Sequence, residues 1–308
     1  MLGWMRSLFL AGSVSLLAAC GGGDSDPANV VDVLDKDAKY SVLVEAVTAA
    51  DLTPTLIGPG PFTIFAPTND AFAALLTELG LSKQQLLADK VLLRTVLTYH
   101  VLSGKVLKAG VPAGKAITTV QGGIFKVDAV GADLVINDGR NRKSKITATD
   151  LDAPNGVIHT VDKVLLPANR NIVQTAQALP DFSILVEAVL AANLQGALSG
   201  NGPLTVFAPT NAAFAALLAE LGVTKVQLLA DTALLTKVLT YHVVDGRVLK
   251  ADVPVGVAVK TLQGGTLTVD ATLSINDQRG RKAAITATDV LTSNGVIHVI
   301  DKVILPAP

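Results

Sequence analysis

The chain carries the same sequence twice, and this duplication constrains its fold more than any other feature. Three blocks recur in the same order: FTIFAPTNDAF at Phe62–Phe72 and LTVFAPTNAAF at Leu204–Phe214, VLTYHV at Val96–Val101 and Val238–Val243, and NGVIHTVDKVLLP at Asn155–Pro167 and NGVIHVIDKVILP at Asn294–Pro306. A spacing of about 140 residues is the size of a domain, not of a solenoid unit. We therefore predict two modules, residues 29–167 and 168–308, whose linker is short enough for them to touch.

Within each copy, signals of helices come first and signals of strands follow. In the first copy, a helix is predicted to begin at Thr68 or Asn69 and to stop at Gly80, and Asn69 is also placed to orient a neighbouring loop. After Lys105 apolar residues alternate, which predicts strands joined by turns such as Asn155-Gly156. Helices followed by strands indicate an α+β fold with a small antiparallel sandwich, rather than an alternating βαβ chain.

Residues 1–19 resemble a bacterial secretory leader, in which Arg6 precedes a short apolar run. The leader ends in Leu17-Ala18-Ala19-Cys20, which resembles the lipobox where a bacterial lipoprotein is cleaved and its cysteine lipidated. The alternative is an ordinary leader followed by an unpaired thiol. Residues 20–28 are Gly-rich and polar, which predicts a flexible tether. We expect an outer-membrane lipoprotein, held to the membrane by its lipid and facing the periplasm or the outside.

Composition and motifs exclude several classes of function. In residues 28–167, and again in 168–308, lysines and arginines equal aspartates and glutamates in number, so neither module has the basic surface of a nucleic-acid-binding protein. The chain has no G-x-S-x-G elbow and no H-E-x-x-H motif. Two histidines per module without a carboxylate-rich cluster make a poor metal site. We therefore predict no catalytic residues, no cofactor and no bound metal.

The three repeated blocks together resemble the motifs of fasciclin (FAS1) domains, in which a Phe-Ala-Pro-Thr-Asn block, a Tyr-His pair and an Asn-Gly-Val-Ile-His block follow one another. The resemblance implies that each module is a wedge-shaped antiparallel β-sandwich with helices packed on one side. It also implies a role in adhesion or in contacts of the extracellular-matrix type.

The four histidines stand at matched positions in the two copies: His100 and His242, His159 and His298. One interpretation is structural, since a buried polar group left unpaired costs about 1–3 kcal/mol and each ring would be hydrogen-bonded to backbone or to a capping side chain. The other follows from the resemblance, because the Tyr-His region of fasciclin domains is reported to contact integrins. Tyr99-His100 and Tyr241-His242 would then be adhesion residues.

Basic residues cluster at one predicted hairpin tip in each module: Arg140, Arg142, Lys143 and Lys145 in the first, and Arg279, Arg281 and Lys282 in the second. They form either a solvated turn or a set of contacts for anions of a polysaccharide, of lipopolysaccharide or of lipid head groups.

These observations predict a non-catalytic adhesion or surface-binding protein of the cell envelope, with a surface protein or a polysaccharide as its partner. Two alternatives stay open. One is a carrier or sensor that holds a small apolar ligand in a groove between sheet and helices. The other is a structural spacer.

Overall fold

The structure, a computed structural model, describes residues 29–308 and consists of two modules of the same fold. The predicted leader, Cys20 and the tether lie outside the described residues. The elements of module 1 are α1 Val30–Asp35, α2 Ser41–Ala49, α3 Thr53–Leu56, β1 Phe62–Pro67, α4 Asn69–Leu79, α5 Lys83–Ala88, α6 Lys90–Tyr99, β2 Val101–Ser103, β3 Ala116–Thr118, β4 Ile124–Val130, β5 Asp133–Asn137, β6 Lys143–Ala153 and β7 Gly156–Val161.

Module 2 repeats this order element by element. Its elements are α7 Ile172–Gln177, α8 Ser183–Ala191, α9 Gln195–Ser199, β8 Leu204–Pro209, α10 Asn211–Leu221, α11 Lys225–Ala230, α12 Thr232–Tyr241, β9 Val243–Asp245, β10 Ala258–Lys260, β11 Thr266–Val269, β12 Ser274–Asn276, β13 Lys282–Thr292 and β14 Gly295–Ile300. Short 3₁₀ helices lie at Ala38–Tyr40, Lys108–Gly110, Pro180–Phe182 and Lys250–Asp252.

The seven strands of each module form one sheet, in the order β2-β1-β7-β6-β5-β4-β3 in module 1 and the equivalent order in module 2. The predicted α+β class with two tandem modules is confirmed. One detail of the expected antiparallel sandwich needs correction, because β1 pairs with β7 in parallel, as β8 does with β14. These strands come from opposite ends of their module, so no hairpin turn in the sequence marks their pairing.

The sheet bends at β6. The first residues of β6 pair with β5 and the remainder with β7, with two shifts of register on the way. Asp150 in this stretch has a φ of 61°, a left-handed conformation that Asp adopts more readily than most residues. Such irregularities bend a strand and increase its twist. The sheet thereby closes over a core that includes Phe65, Phe125 and Ile136.

The helices pack against the other face of β1 and β7, as the resemblance implied. Ile64 and Ile158 from these strands share a second core with Phe72 and Leu75 from α4. Each module thus has two apolar layers, one inside the folded sheet and one between the sheet and the helices.

The corner between β1 and α4 follows the sequence closely. The Thr68 side chain accepts the N–H of Ala71 and so caps α4, which ends at Gly80 with a φ of 65°. The Asn69 side chain accepts the N–H of Val42 at 3.0 Å and donates to the carbonyl of Ala38. Asn69 therefore orients the loop that leads into α2, as expected.

Candidate functional site

The tyrosine of each Tyr-His pair lies in the interior and connects a helix end to the sheet. The hydroxyl of Tyr99 donates to the carbonyl of Ile124 and accepts the N–H of Gly139 at 2.8 Å. In module 2 the hydroxyl of Tyr241 donates to the carbonyl of Thr266 at 2.7 Å. Burial raises the pKa of both phenols, that of Tyr241 to about 12. Both hydroxyls therefore stay protonated and serve as structural donors.

His100 is also buried, with both ring nitrogens bonded to the backbone. Nδ1 lies 2.8 Å from the carbonyl of Val96 and must carry the hydrogen, while Nε2 accepts the N–H of Leu165 at 2.8 Å. Burial lowers the pKa of His100 to about 4, and it does the same for His242, whose ring makes the equivalent bonds. These imidazoles are neutral at physiological pH, and they join the end of the helix to the last segment of their module.

His159 is bonded in the opposite orientation. Its Nε2 donates to the carbonyl of Val106 at 2.8 Å, and its Nδ1 accepts the N–H of Asp150 at 3.2 Å. His298 makes the same two kinds of bond, and burial lowers its pKa. The second histidine of each module therefore holds the loop after β2 (or β9) and the bend of the long strand against β7 (or β14).

The predicted site residues of these pairs are therefore not gathered around an open cleft. Tyr99 and His100 are 0% and 1% exposed, and His159 is 1% exposed. Within residues 29–308, no group of three or more His, Cys, Asp or Glu side chains is placed to hold a metal ion. In the same part of the chain, no helix combines the length and the apolar character needed to cross a bilayer.

Asn155 also holds module 1 together, a role beyond the Asn155-Gly156 turn predicted from the sequence. Its Oδ1 accepts the N–H of Val30 at 2.7 Å, and its Nδ2 donates to the carbonyls of Leu56 and Gly58, both at 2.8 Å. Asn294 makes the equivalent bonds in module 2. The signal available in the sequence was its place inside a block that is repeated almost unchanged.

The predicted anion-contact residues are spread over several internal ion pairs. Arg142 pairs with Glu78 and Asp138, and the other pairs are Lys145 with Asp133, Arg281 with Glu220 and Lys282 with Asp270. Lys143 is exposed at the start of β6, and Arg279 donates from its Nε to the carbonyl of Pro306. Arg140 is half-buried where the two modules meet.

The modules contact each other through the β4 and β5–β6 region of module 1 and the β13 strand of module 2. The Asn141 side chain donates to the carbonyl of Leu291 and accepts its N–H, at 3.0 and 2.7 Å. Ile124 packs against Leu249 and Leu291. An ion pair between Lys126 and Asp289 crosses the same junction.

Both modules are similar to domains of known proteins. A family profile described as "Fasciclin domain" matches residues 38–167 and 180–306. Transforming growth factor-beta-induced protein ig-h3 of Sus scrofa is 34% identical over 261 residues, which are 83% of this chain and 36% of that protein, so the chain spans about a third of this relative's length.

Two further matches are a bacterial protein and a solved structure. Protein sll1483 of Synechocystis sp. is 50% identical over 142 residues, 45% of this chain and 73% of that protein. The structure of a FAS1 domain pair from the insect cell adhesion molecule fasciclin I is 18% identical and covers 89% of this chain and 95% of that one, with a TM-score of 0.43.

Proposed function

The chain belongs to the fasciclin family, and we propose that it is a lipid-anchored binding protein of the bacterial cell envelope that acts by adhesion and not by catalysis. The observation that carries the proposal is the internal use of the repeated polar side chains. In both modules the histidines and tyrosines are bonded to the module's own backbone. They stiffen each module, and the outer surface is what remains for a partner.

The absence of catalysis is supported by the state of the four imidazoles. A general base needs a free ring nitrogen within reach of a substrate proton. Each ring here already uses one nitrogen as a donor and the other as an acceptor, and all four rings are buried. Protonation chemistry at these rings would require the module to open.

The anchor is supported by the sequence around Cys20. A lipid on this cysteine would be followed by the eight residues 21–28, which span at most about 30 Å when extended. Module 1 would therefore stay close to the membrane. The glycine after Cys20 favours the outer membrane, and the protein would face either the periplasm or the outside.

An exposed apolar residue at the same turn of both modules supports a binding surface. Val120 and Leu262 follow β3 and β10, and they are 50% and 49% exposed. Each N–H bonds to the strand that follows the Tyr-His pair, at Val101 and Val243. The buried pairs thus fix a turn whose side chain points outward, which suits contact with a surface protein or polysaccharide.

Protease treatment of intact cells tests the location of the protein. The wild-type chain should fractionate with outer membranes, and a Cys20→Ser variant should be released. Digestion on whole cells would establish surface display, whereas full protection would rule out direct cell–cell adhesion. A mature wild-type chain without lipid would refute the anchor.

The binding surface needs a separate test. Val120→Glu combined with Leu262→Glu should abolish binding to cell-surface proteins or polysaccharides while the melting temperature stays unchanged, because both side chains are exposed. Val91→Glu, at another exposed apolar position, is the matched control. Equal binding by the double variant and the wild type would contradict this placement.

A further inference from the structure

Each module contains an apolar pocket at the same place, between its three consecutive helices α4–α6 or α10–α12. The pocket of module 1 has a volume of about 250 Å³, and its walls include Phe72, Leu75, Leu79, Leu86, Leu93 and Val96. The same residue types recur 142 positions later around a pocket of about 210 Å³ in module 2. The walls are aliphatic and aromatic, so the pockets favour a hydrocarbon over a polar ligand.

One charged side chain lines each pocket within the described chain, and it is an arginine at equivalent positions. In module 2 the Nε of Arg279 donates to the carbonyl of Pro306 at 3.0 Å. In module 1 the Nε of Arg140 is buried and has no hydrogen-bond partner among residues 29–308. The two arginines therefore differ at Nε, which has a hydrogen-bond partner in Arg279 and is buried without one in Arg140.

Arg140 also lines a second space, which lies at the junction between the modules. This cleft has a volume of about 530 Å³, and Arg142 and Arg170 line it as well. Burial and the like charges of Arg142 and Arg170 lower the pKa of Arg140. Glu78 also lines the cleft, but it is already paired with Arg142. An anion placed in the cleft would give the Arg140 guanidinium a hydrogen-bond acceptor and would offset the repulsion between the arginines.

We propose that module 1 binds a medium-chain carboxylate, with the hydrocarbon tail in the leucine-rich pocket and the carboxylate paired with Arg140 and Arg170 in the junction cleft. A dry cavity of about 150 Å³ holds a benzene molecule, so about 250 Å³ accommodates about ten carbon atoms. Arginine suits the head group because its planar guanidinium binds a carboxylate through two hydrogen bonds. The inference is independent of the adhesion proposal, since it uses neither the exposed turns nor the lipid anchor.

Equilibrium dialysis of the full chain with Cys20→Ser tests the proposal, using decanoate and decan-1-ol as probes. This chain, whose pockets are unaltered, should bind decanoate saturably at one site and decan-1-ol at least ten-fold more weakly. Arg140→Gln should weaken decanoate binding at least ten-fold and leave decan-1-ol unchanged. Arg279→Gln, the matched control in module 2, should leave the decanoate site intact.

A second variant separates loss of the site from loss of the fold. Leu79→Trp should fill the pocket of module 1 and remove binding of both probes, whereas Leu221→Trp should fill only the pocket of module 2. Circular dichroism of each variant shows whether it remains folded. The proposal is overturned if decanoate does not bind saturably, if decan-1-ol binds equally well, or if the folded Arg140→Gln and Leu79→Trp variants bind decanoate like the wild type.

Discussion

The Nζ of Lys126 lies 2.8 Å from the Oδ2 of Asp289, and this ion pair joins the two modules. The side chains are 12% and 2% exposed, and the other oxygen of Asp289 accepts the N–H of Lys250. At the position of Asp289, module 1 has Asp150, whose side chain is 39% exposed, and at the position of Lys126 module 2 has Thr268. The pair is therefore a property of the junction and not of the repeated module.

Lys126→Met should destabilise the protein by about 3 kcal/mol, because it leaves the buried carboxylate of Asp289 without its cation. We also expect the two modules of this variant to unfold in separate steps. Urea unfolding followed by circular dichroism measures both effects. Lys115→Met is the control, since its pair with Asp252 crosses the same junction at 3.7 Å but is exposed, and such pairs contribute about 0–1 kcal/mol. Equal effects of the two variants would show that burial of the Lys126 pair does not matter.

Acid should destabilise the protein through His100 and His242. Burial lowers their pKa from 6.5 to about 4, so between these values the unfolded chain binds more protons than the folded one. The free energy of unfolding should therefore be constant above neutrality and fall as the pH decreases from about 6.5 to about 4, by up to about 3 kcal/mol per histidine.

Chemical denaturation at a series of pH values measures this dependence. A His100→Gln and His242→Gln double variant should be less stable at neutral pH and should show a shallower slope between pH 6.5 and 4. A wild-type stability that stays flat over this window would mean that the two rings are protonated in the folded state.

Asn155→Ala should destabilise module 1 by about 3 kcal/mol, because it leaves a buried N–H and a buried carbonyl without partners. The loss should be local at first, with faster hydrogen exchange at the amide of Val30, which bonds to the Asn155 side chain. Asn201→Ala is the control, since Asn201 is exposed. An unchanged melting temperature for Asn155→Ala would contradict the role assigned to this side chain.

Gly139→Ala should also destabilise the protein, by about 3 kcal/mol, since overpacking has a cost of this order. A Cβ at Gly139 would lie 2.2 Å from the backbone nitrogen of Ala168, where the chain passes from one module to the other. Thermal unfolding measures the loss. Gly110→Ala is the control, because a Cβ there meets no atom within 4 Å. Similar melting temperatures for the two variants would show that the linker can move aside.

Local features of the fold could be predicted from the sequence because they depend on neighbouring residues. The cap at Thr68, the end of α4 at Gly80 and the loop contact of Asn69 all involve short stretches of chain. The duplication predicted the division into two modules. The order of helices and strands predicted the α+β class.

Features that join distant residues could not be predicted in the same way. The parallel pairing of β1 with β7 carries no turn signal, and the bonds of Asn155 reach helices almost a module away. The basic residues illustrate the same limit, since Arg142 finds Glu78 only after folding. A charged pattern in a sequence does not reveal which of its members are already neutralised.

Several residues that join the modules differ between the copies, whereas the histidines, tyrosines and asparagines that hold each module together are shared. The differing positions are Lys126 and Thr268, Asn141 and Gly280, and Gly139 and Gln278. The two modules are therefore not interchangeable, although the sequence is duplicated. If the copies exchanged places, each would still fold. Thr268 would then face Asp150, and the junction would lack the ion pair that Lys126 and Asp289 now form. The two halves have become dissimilar partners, and their order along the chain is part of the architecture.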